Sequence, residues 1–143
     1  MFGLFSSKNQ KLVKKWKKEH EKIVVLAHNV IGAYSKNDHK KAKKELKALN
    51  EIAVDHVMNE DIEFYKLLKD QKRNDSDTER MVRNFTQTFK GTKIALMNFL
   101  TKYSHPDTKL DSEFFDSFNE LVGVLAKRID FEEKNLYIKL SDK

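Results

Sequence analysis

The sequence predicts an all-α fold: an up-down-up-down antiparallel four-helix bundle made of a duplicated helical hairpin. Three observations carry the prediction. Apolar residues recur every three and four positions along four long segments, the period of one helical face. The 143 residues include one Pro and four Gly, so those segments have few internal breaks. The inward pattern of the first half also returns in the second.

The first helix is expected over residues 8–35, with Leu12, Trp16, His20, Ile23, Ala27, Val30 and Tyr34 on its inner face. Ser35-Lys36-Asn37-Asp38 reads as a tight turn in which Asn37 or Asp38 caps the next helix. The second helix covers about 39–71, with Ala42, Leu46, Leu49, Ala53, His56, Glu60 and Phe64 inward. A polar connection runs from Gln71 to Asp77, and Ser76 with Glu79 resembles a capping box. The third helix, about 77–104, turns Met81, Phe85, Phe89, Thr92, Leu96, Phe99 and Tyr103 inward. Pro106 cannot continue a helix and biases His105 away from helical angles, so 104–108 is a break. Asp111 or Ser112 then caps a fourth helix reaching about 140, with Phe114, Phe118, Leu121, Leu125, Arg128, Glu132 and Leu136 inward.

Shifting the first helix by 69 residues lands Leu12 on Met81, Trp16 on Phe85, His20 on Phe89 and Tyr34 on Tyr103. Shifting the second by 72 lands His56 on Arg128, Glu60 on Glu132, Phe64 on Leu136 and Tyr65 on Tyr137. The chain therefore reads as one domain, 1–143, with internal repeats at about 8–71 and 77–140. Short loops between such helices build core sites from facing elements.

Composition narrows the chemistry. Charged residues are 35 % and apolar residues 39 %, as in a soluble helical protein. There is no cysteine, which excludes disulfides, thiol catalysis and thiolate metal sites. No stretch approaches the ~20 apolar residues of a membrane span. The apolar opening Met1-Phe2-Gly3-Leu4-Phe5 is shorter than an export-signal core, and Ser6-Ser7-Lys8 carries no cleavage pattern, so a cytoplasmic location is expected. Residues 1–48 hold 13 Lys against 4 acidic residues, whereas 49–143 hold 15 basic against 18 acidic. The basic half reads as a lysine-coated solvent face that suits an acidic protein partner. Nucleic acid is not expected, because the aromatics of this half lie on the core stripe rather than among the lysines.

The feature that composition does not explain is polar. A helix that aims His56 and Glu60 at its own core must give them partners. At that level the inward residues are His20, His56 and Glu60 in the first hairpin, and Phe89, Arg128 and Glu132 in the second, with Glu133 one residue around the helix. His28 lies on the flank of its helix, His39 and His105 lie at loops, and Tyr65 and Tyr137 are expected to pack near the polar layer. There is no nucleophile–base pairing, no glycine-rich phosphate loop and no HExxH motif, so no enzymatic activity is expected.

His20 after Glu19, His56-x3-Glu60 with Tyr65 behind it, and Glu132-Glu133-x2-Leu136-Tyr137 resemble the hemerythrin or HHE cation-binding family. That family is a duplicated hairpin bundle holding non-haem iron, usually as a pair. The resemblance implies that His20 and His56 are histidine ligands, Glu60 a bridging carboxylate, and Glu132 or Glu133 the carboxylate of the other half. Phe89 and Arg128 stand where that half should supply histidines, so an ordinary di-iron carrier is not expected. Two readings remain. In the first, one Fe, Mn or Zn ion sits on His20, His56, Glu60 and Glu132, in a non-enzymatic binding or sensing protein. In the second there is no metal: Arg128 pairs with Glu60 and Glu132 in its place. A second resemblance favours the latter. Lys11-Leu12-Val13-x2-Trp16 with Asn29 and Gly32, Val54-Asp55, and Arg128-x3-Glu132-Glu133-Lys134 are similar to the bacterial Rsd/AlgQ regulators. Those are helical bundles that bind the primary sigma factor, which would imply a regulatory interaction module.

Overall fold

The computed structural model describes residues 8–69 and 76–141, and among them every long element is a helix. The opening five residues and most of the 71–77 connection lie outside that range. Helix α1 spans Lys8–Ser35, α2 His39–Lys69, α3 Ser76–Ser104 and α4 Ser112–Phe131. A π-helical turn, Glu132–Leu136, continues α4 into a short last helix, α5, Tyr137–Ser141. No helix among the described residues is long and apolar enough to cross a membrane.

The turns are set by local chemistry. Asn37 adopts a left-handed φ of 60°, a conformation asparagine tolerates better than most residues. That conformation lets the Asp38 N–H return to the Ala33 carbonyl and close α1. Of the two capping candidates, Asp38 caps α2, its Oδ1 accepting from the Lys41 N–H at 3.1 Å. Asp111 caps α4 by accepting from the Phe114 N–H at 2.8 Å. At the Pro106 break, Lys43 of α2 donates to the Tyr103 carbonyl at 2.8 Å and to the His105 carbonyl, tying α2 to the end of α3.

Neighbouring helices run antiparallel. Tyr34 stacks on His39 and Asn29 reaches Glu45 between α1 and α2. Phe64 meets Phe85 and Asp61 meets Lys93 between α2 and α3. Phe99 packs on Phe114 and Phe85 on Phe131 between α3 and α4. All seven inward residues of α2 are buried, from Ala42 to Phe64. On α4, Leu121 and Leu125 are only half-buried, because they border an apolar cavity of about 140 Å³ that they share with Ile23, Ala27 and Leu96.

The buried apolar residues form two clusters. The larger runs from Ile23, Ala53 and Val57 to Phe114 and Phe118, at the end closed by the 35–39 and 104–112 turns. The smaller gathers Val13, Trp16, Phe64, Val82, Phe85, Leu136, Tyr137 and Leu140. Along each contributing helix the polar core residues fall between the two: His20 between Trp16 and Ile23, Glu60 between Val57 and Phe64. The polar layer thus interrupts the core rather than fringing it.

Candidate metal centre

Four helical positions bring the layer together. His20 of α1, His56 and Glu60 of α2 and Glu132 of the π-turn each offer one ligand atom, and these atoms lie within 4.8 Å of one another. All four are buried, with Glu60 fully enclosed. Arg128, also buried, approaches from α4. Its Nε donates to Glu132 at 3.2 Å and its Nη2 to Glu60 at 3.5 Å. The guanidinium lies over the Phe85 ring, 5.0 Å from its centroid, and 6.0 Å from that of Phe89.

The two imidazoles are held alike. His20 Nδ1 donates to Glu133 at 2.7 Å, and His56 Nδ1 donates to Glu19 at 2.7 Å. Each outer carboxylate fixes its ring so that Nε2 faces the interior. His20 Nε2 lies 3.0 Å from the Tyr137 hydroxyl and 3.2 Å from Glu132. His56 Nε2 lies 3.2 Å from Glu60 but off the line that a hydrogen bond requires, and it is buried with no hydrogen-bond partner. The Tyr137 hydroxyl donates to the other oxygen of Glu60. Trp16 seals one side, edge-on to His56 with ring centroids 6.2 Å apart.

Burial is the largest influence on the acidity of all four groups, and it is overcome in two of them. It takes His20 below the ordinary 6.5, helped by the charge on His56 and opposed by Glu133 and Glu60. His56 is raised above 6.5, since Glu60 and Glu19 outweigh the burial. Glu60 falls to about 2 against its burial, under the influence of His56, Glu132 and Arg128. Glu132 rises well above 4.5, driven by burial and by the negative charge of Glu60. Burial and the two glutamates also raise Tyr137. The two carboxylates are thus pushed apart: burial and Glu60 favour the neutral form of Glu132, while Glu60 is met by Arg128, His56 and the tyrosine.

The residues fit a divalent ion. Two imidazoles and two carboxylates form an N2O2 set suited to Fe, Mn or Zn. Metal–ligand bonds of about 2.0–2.2 Å require donor atoms roughly 3–4 Å apart, so the present spread needs only a small contraction. His56 Nε2 is buried and makes no hydrogen bond, which leaves it open to a ligand once it is deprotonated.

Of the five residues singled out from sequence, His20, His56, Glu60 and Glu132 converge, while Glu133 sits outside them, holding His20 from behind. Arg128 and Phe89 lie at the same level, the ring against the guanidinium. The two tyrosines part company: Tyr137 is 1 % exposed and in the layer, whereas Tyr65 is 58 % exposed and outside it. The π-turn is the reason. Its i→i+5 bond, from the Tyr137 N–H to the Glu132 carbonyl, stacks residue 137 over 132 and turns the ring inward. Residue 65, on regular helix, is carried past that face. Sequence reasoning missed Asp61, whose Oδ1 lies 3.7 Å from Arg128. The repeat held a signal for it, because Asp61 follows Glu60 as Glu133 follows Glu132. Glu19 has no such signal: it serves His56 across the helix pair, not its neighbour His20.

Comparison with protein-family models, with curated proteins and with solved structures finds no match for the chain.

Proposed function

We propose that the protein is a hemerythrin-type four-helix bundle that binds one divalent ion of the iron class per chain, as a non-enzymatic binding or sensing protein. The observation that carries the reading is the inward convergence of both Nε2 atoms with Glu60 and Glu132, one of those nitrogens buried without a partner. Outer carboxylates on both histidines support it, since a carboxylate on the far nitrogen raises ligand basicity and fixes orientation. The antiparallel contacts and the inward-facing repeat support the bundle.

His20, His56, Glu60 and Glu132 would hold the ion, which would act there as a charge and Lewis-acid centre. Loading requires any proton on Glu132 or His56 Nε2 to leave, so affinity rises with pH. Arg128 opposes loading. A +2 and a +1 charge about 4 Å apart repel by roughly 8 kcal/mol at an effective dielectric of 20. This makes binding weaker than an all-carboxylate and imidazole cage would give.

Two observations favour a second reading, a metal-free interaction module of the Rsd/AlgQ kind. Arg128 already pairs with both carboxylates, and Lys11, Lys14, Lys15, Lys18 and Lys22 line one exposed groove suited to an acidic partner. Elemental analysis separates the two. Protein prepared without chelator or metal-binding tag, then loaded anaerobically with Fe(II) and desalted, should retain iron near one ion per chain. Substoichiometric traces of iron, manganese and zinc alike would decide for the metal-free module.

A further inference from the structure

Arg128 is enclosed, yet one side of it leads out. Its Nη2 reaches Asp61 Oδ1 at 3.7 Å, and the other oxygen of Asp61 is held by Lys93 Nζ at 2.6 Å. Asp61 is thus shared between a buried cation from α4 and a half-buried one from α3, with its own side chain 38 % exposed. Around this pair a cleft of about 250 Å³ opens between α2 and α3, lined by Asp61, Phe85, Phe89, Lys90, Lys93 and Arg128. It has room for a guanidinium and several waters, given about 30 Å³ per water. Its floor is the pair of rings on which the guanidinium already lies. Arg128 therefore has a second carboxylate, a place to go and an aromatic surface beneath it.

We infer that Arg128 is a displaceable counter-ion: an arriving metal ion takes Glu60 and Glu132 from it, and the guanidinium moves into the α2–α3 cleft to pair with Asp61, releasing Lys93. The inference rests on the ion-binding reading and extends it to regulation. Two cations cannot share the same pair of buried carboxylates without strong repulsion, so one must leave. Asp61 is the acceptor already within reach, and accepting Arg128 fully means giving up Lys93. Ion occupancy then alters the α2–α3 surface at Lys93 and its neighbour Ile94, which is 56 % exposed. That surface is where a sensor of this design would present its state.

The test uses the full chain labelled with ¹⁵N-arginine and titrated with Zn²⁺, with stoichiometry read by calorimetry on the same samples. Arg128→Gln assigns the Arg128 Nε–H signal by its loss. The expected result is one Zn²⁺ per chain, with the signal shifting and its hydrogen exchange accelerating in step with loading. Lys93→Gln, which frees Asp61, should tighten Zn²⁺ binding about tenfold, while Lys90→Gln in the same cleft should change it less than about twofold. Zn²⁺ bound with the Arg128 signal unmoved overturns the displacement and leaves the ion-binding reading standing. Equal effects of Lys93→Gln and Lys90→Gln overturn it too, since bulk charge then explains both. Binding by Arg128→Gln but not by the wild type makes Arg128 a permanent occupant and overturns both. Binding of neither Zn²⁺ nor Fe²⁺ by either protein removes the ion-binding reading itself, and the inference with it.

Discussion

The two hairpins contribute to the same buried layer in opposite chemical terms. The first supplies two imidazoles, each braced from behind by a carboxylate, and an ionised Glu60. The second supplies an arginine lying on two phenylalanines, and a Glu132 whose pKa is raised by burial and by Glu60. Residues at matched positions in the repeat, His56 and Arg128, therefore do different work. One turns an imidazole nitrogen to the interior and the other fills the interior with a fixed charge. The difference teaches that one helical core can gather imidazoles and an ionised carboxylate from one half while its other half supplies the neutralising cation. Removing members of each half shows how far that division holds.

The largest expected effect comes from the arginine. In metal-free protein, Arg128→Met leaves ionised Glu60 without its arginine and should lower stability by about 3–5 kcal/mol, read from denaturant midpoints. Adding Glu60→Gln should recover a substantial part, because the coupling between contacting groups is not additive. A loss below ~1 kcal/mol for Arg128→Met would mean the second half does not neutralise the layer.

Much of this arrangement is legible in the sequence, and the limits have physical causes. A polar residue on an apolar stripe is visible from spacing alone, so His20, His56, Glu60, Arg128 and Glu132 stand out, and all five are buried together. Helix ends are legible because Asp38, Pro106 and Asp111 act through local chemistry. What spacing cannot reveal is a change of helical period. The π-turn at Glu132–Leu136 moves Tyr137 into the layer while Tyr65, its partner in the repeat, stays outside. Contacts between helices are equally silent: Glu19 and Glu133 brace histidines from different helices, and only the packing pairs them.

Acid provides the next contrast, because the groups whose pKa is lowered weaken the folded state as pH falls. His20 is below 6.5 in the folded state, so its contribution is complete above 6.5 and falls away as the unfolded chain binds a proton preferentially below it. Glu60 sits at about 2 rather than 4.5, so its contribution is present above 4.5 and is lost as pH falls from there toward 2. His56 and Glu132 are raised and act the other way, favouring the folded state at lower pH and losing that contribution as pH rises. Between 6.5 and 4.5 the loss from His20 therefore runs against the gain from Glu132, and the unopposed fall in thermal midpoint comes below 4.5, from Glu60. His20→Gln should lift the midpoints just below 6.5 relative to those above it and spare the fall below 4.5. A pH profile unchanged by that substitution would show that the imidazole is not held neutral.

The smallest expected effects concern the tyrosines, and they isolate the π-turn from the rest of the difference between the halves. Tyr137→Phe keeps the ring against Trp16 and His20 but removes the hydroxyl shared by Glu60 and His20. The loss should be about 1–3 kcal/mol, the cost of leaving a buried acceptor short of a donor. Tyr65→Phe, at the matched position on regular helix, should stay within about 0.5 kcal/mol, as exposed substitutions do. Deleting one residue from 133–135 would leave Tyr137 four positions after Glu132 on a regular helix, and so on the same inward face. If the π-turn serves to bring the tyrosine into register, that deletion should preserve the sensitivity to Tyr137→Phe. Equal costs for the two tyrosines would instead place both hydroxyls in comparable surroundings and assign the asymmetry of the layer to His56 and Arg128 alone.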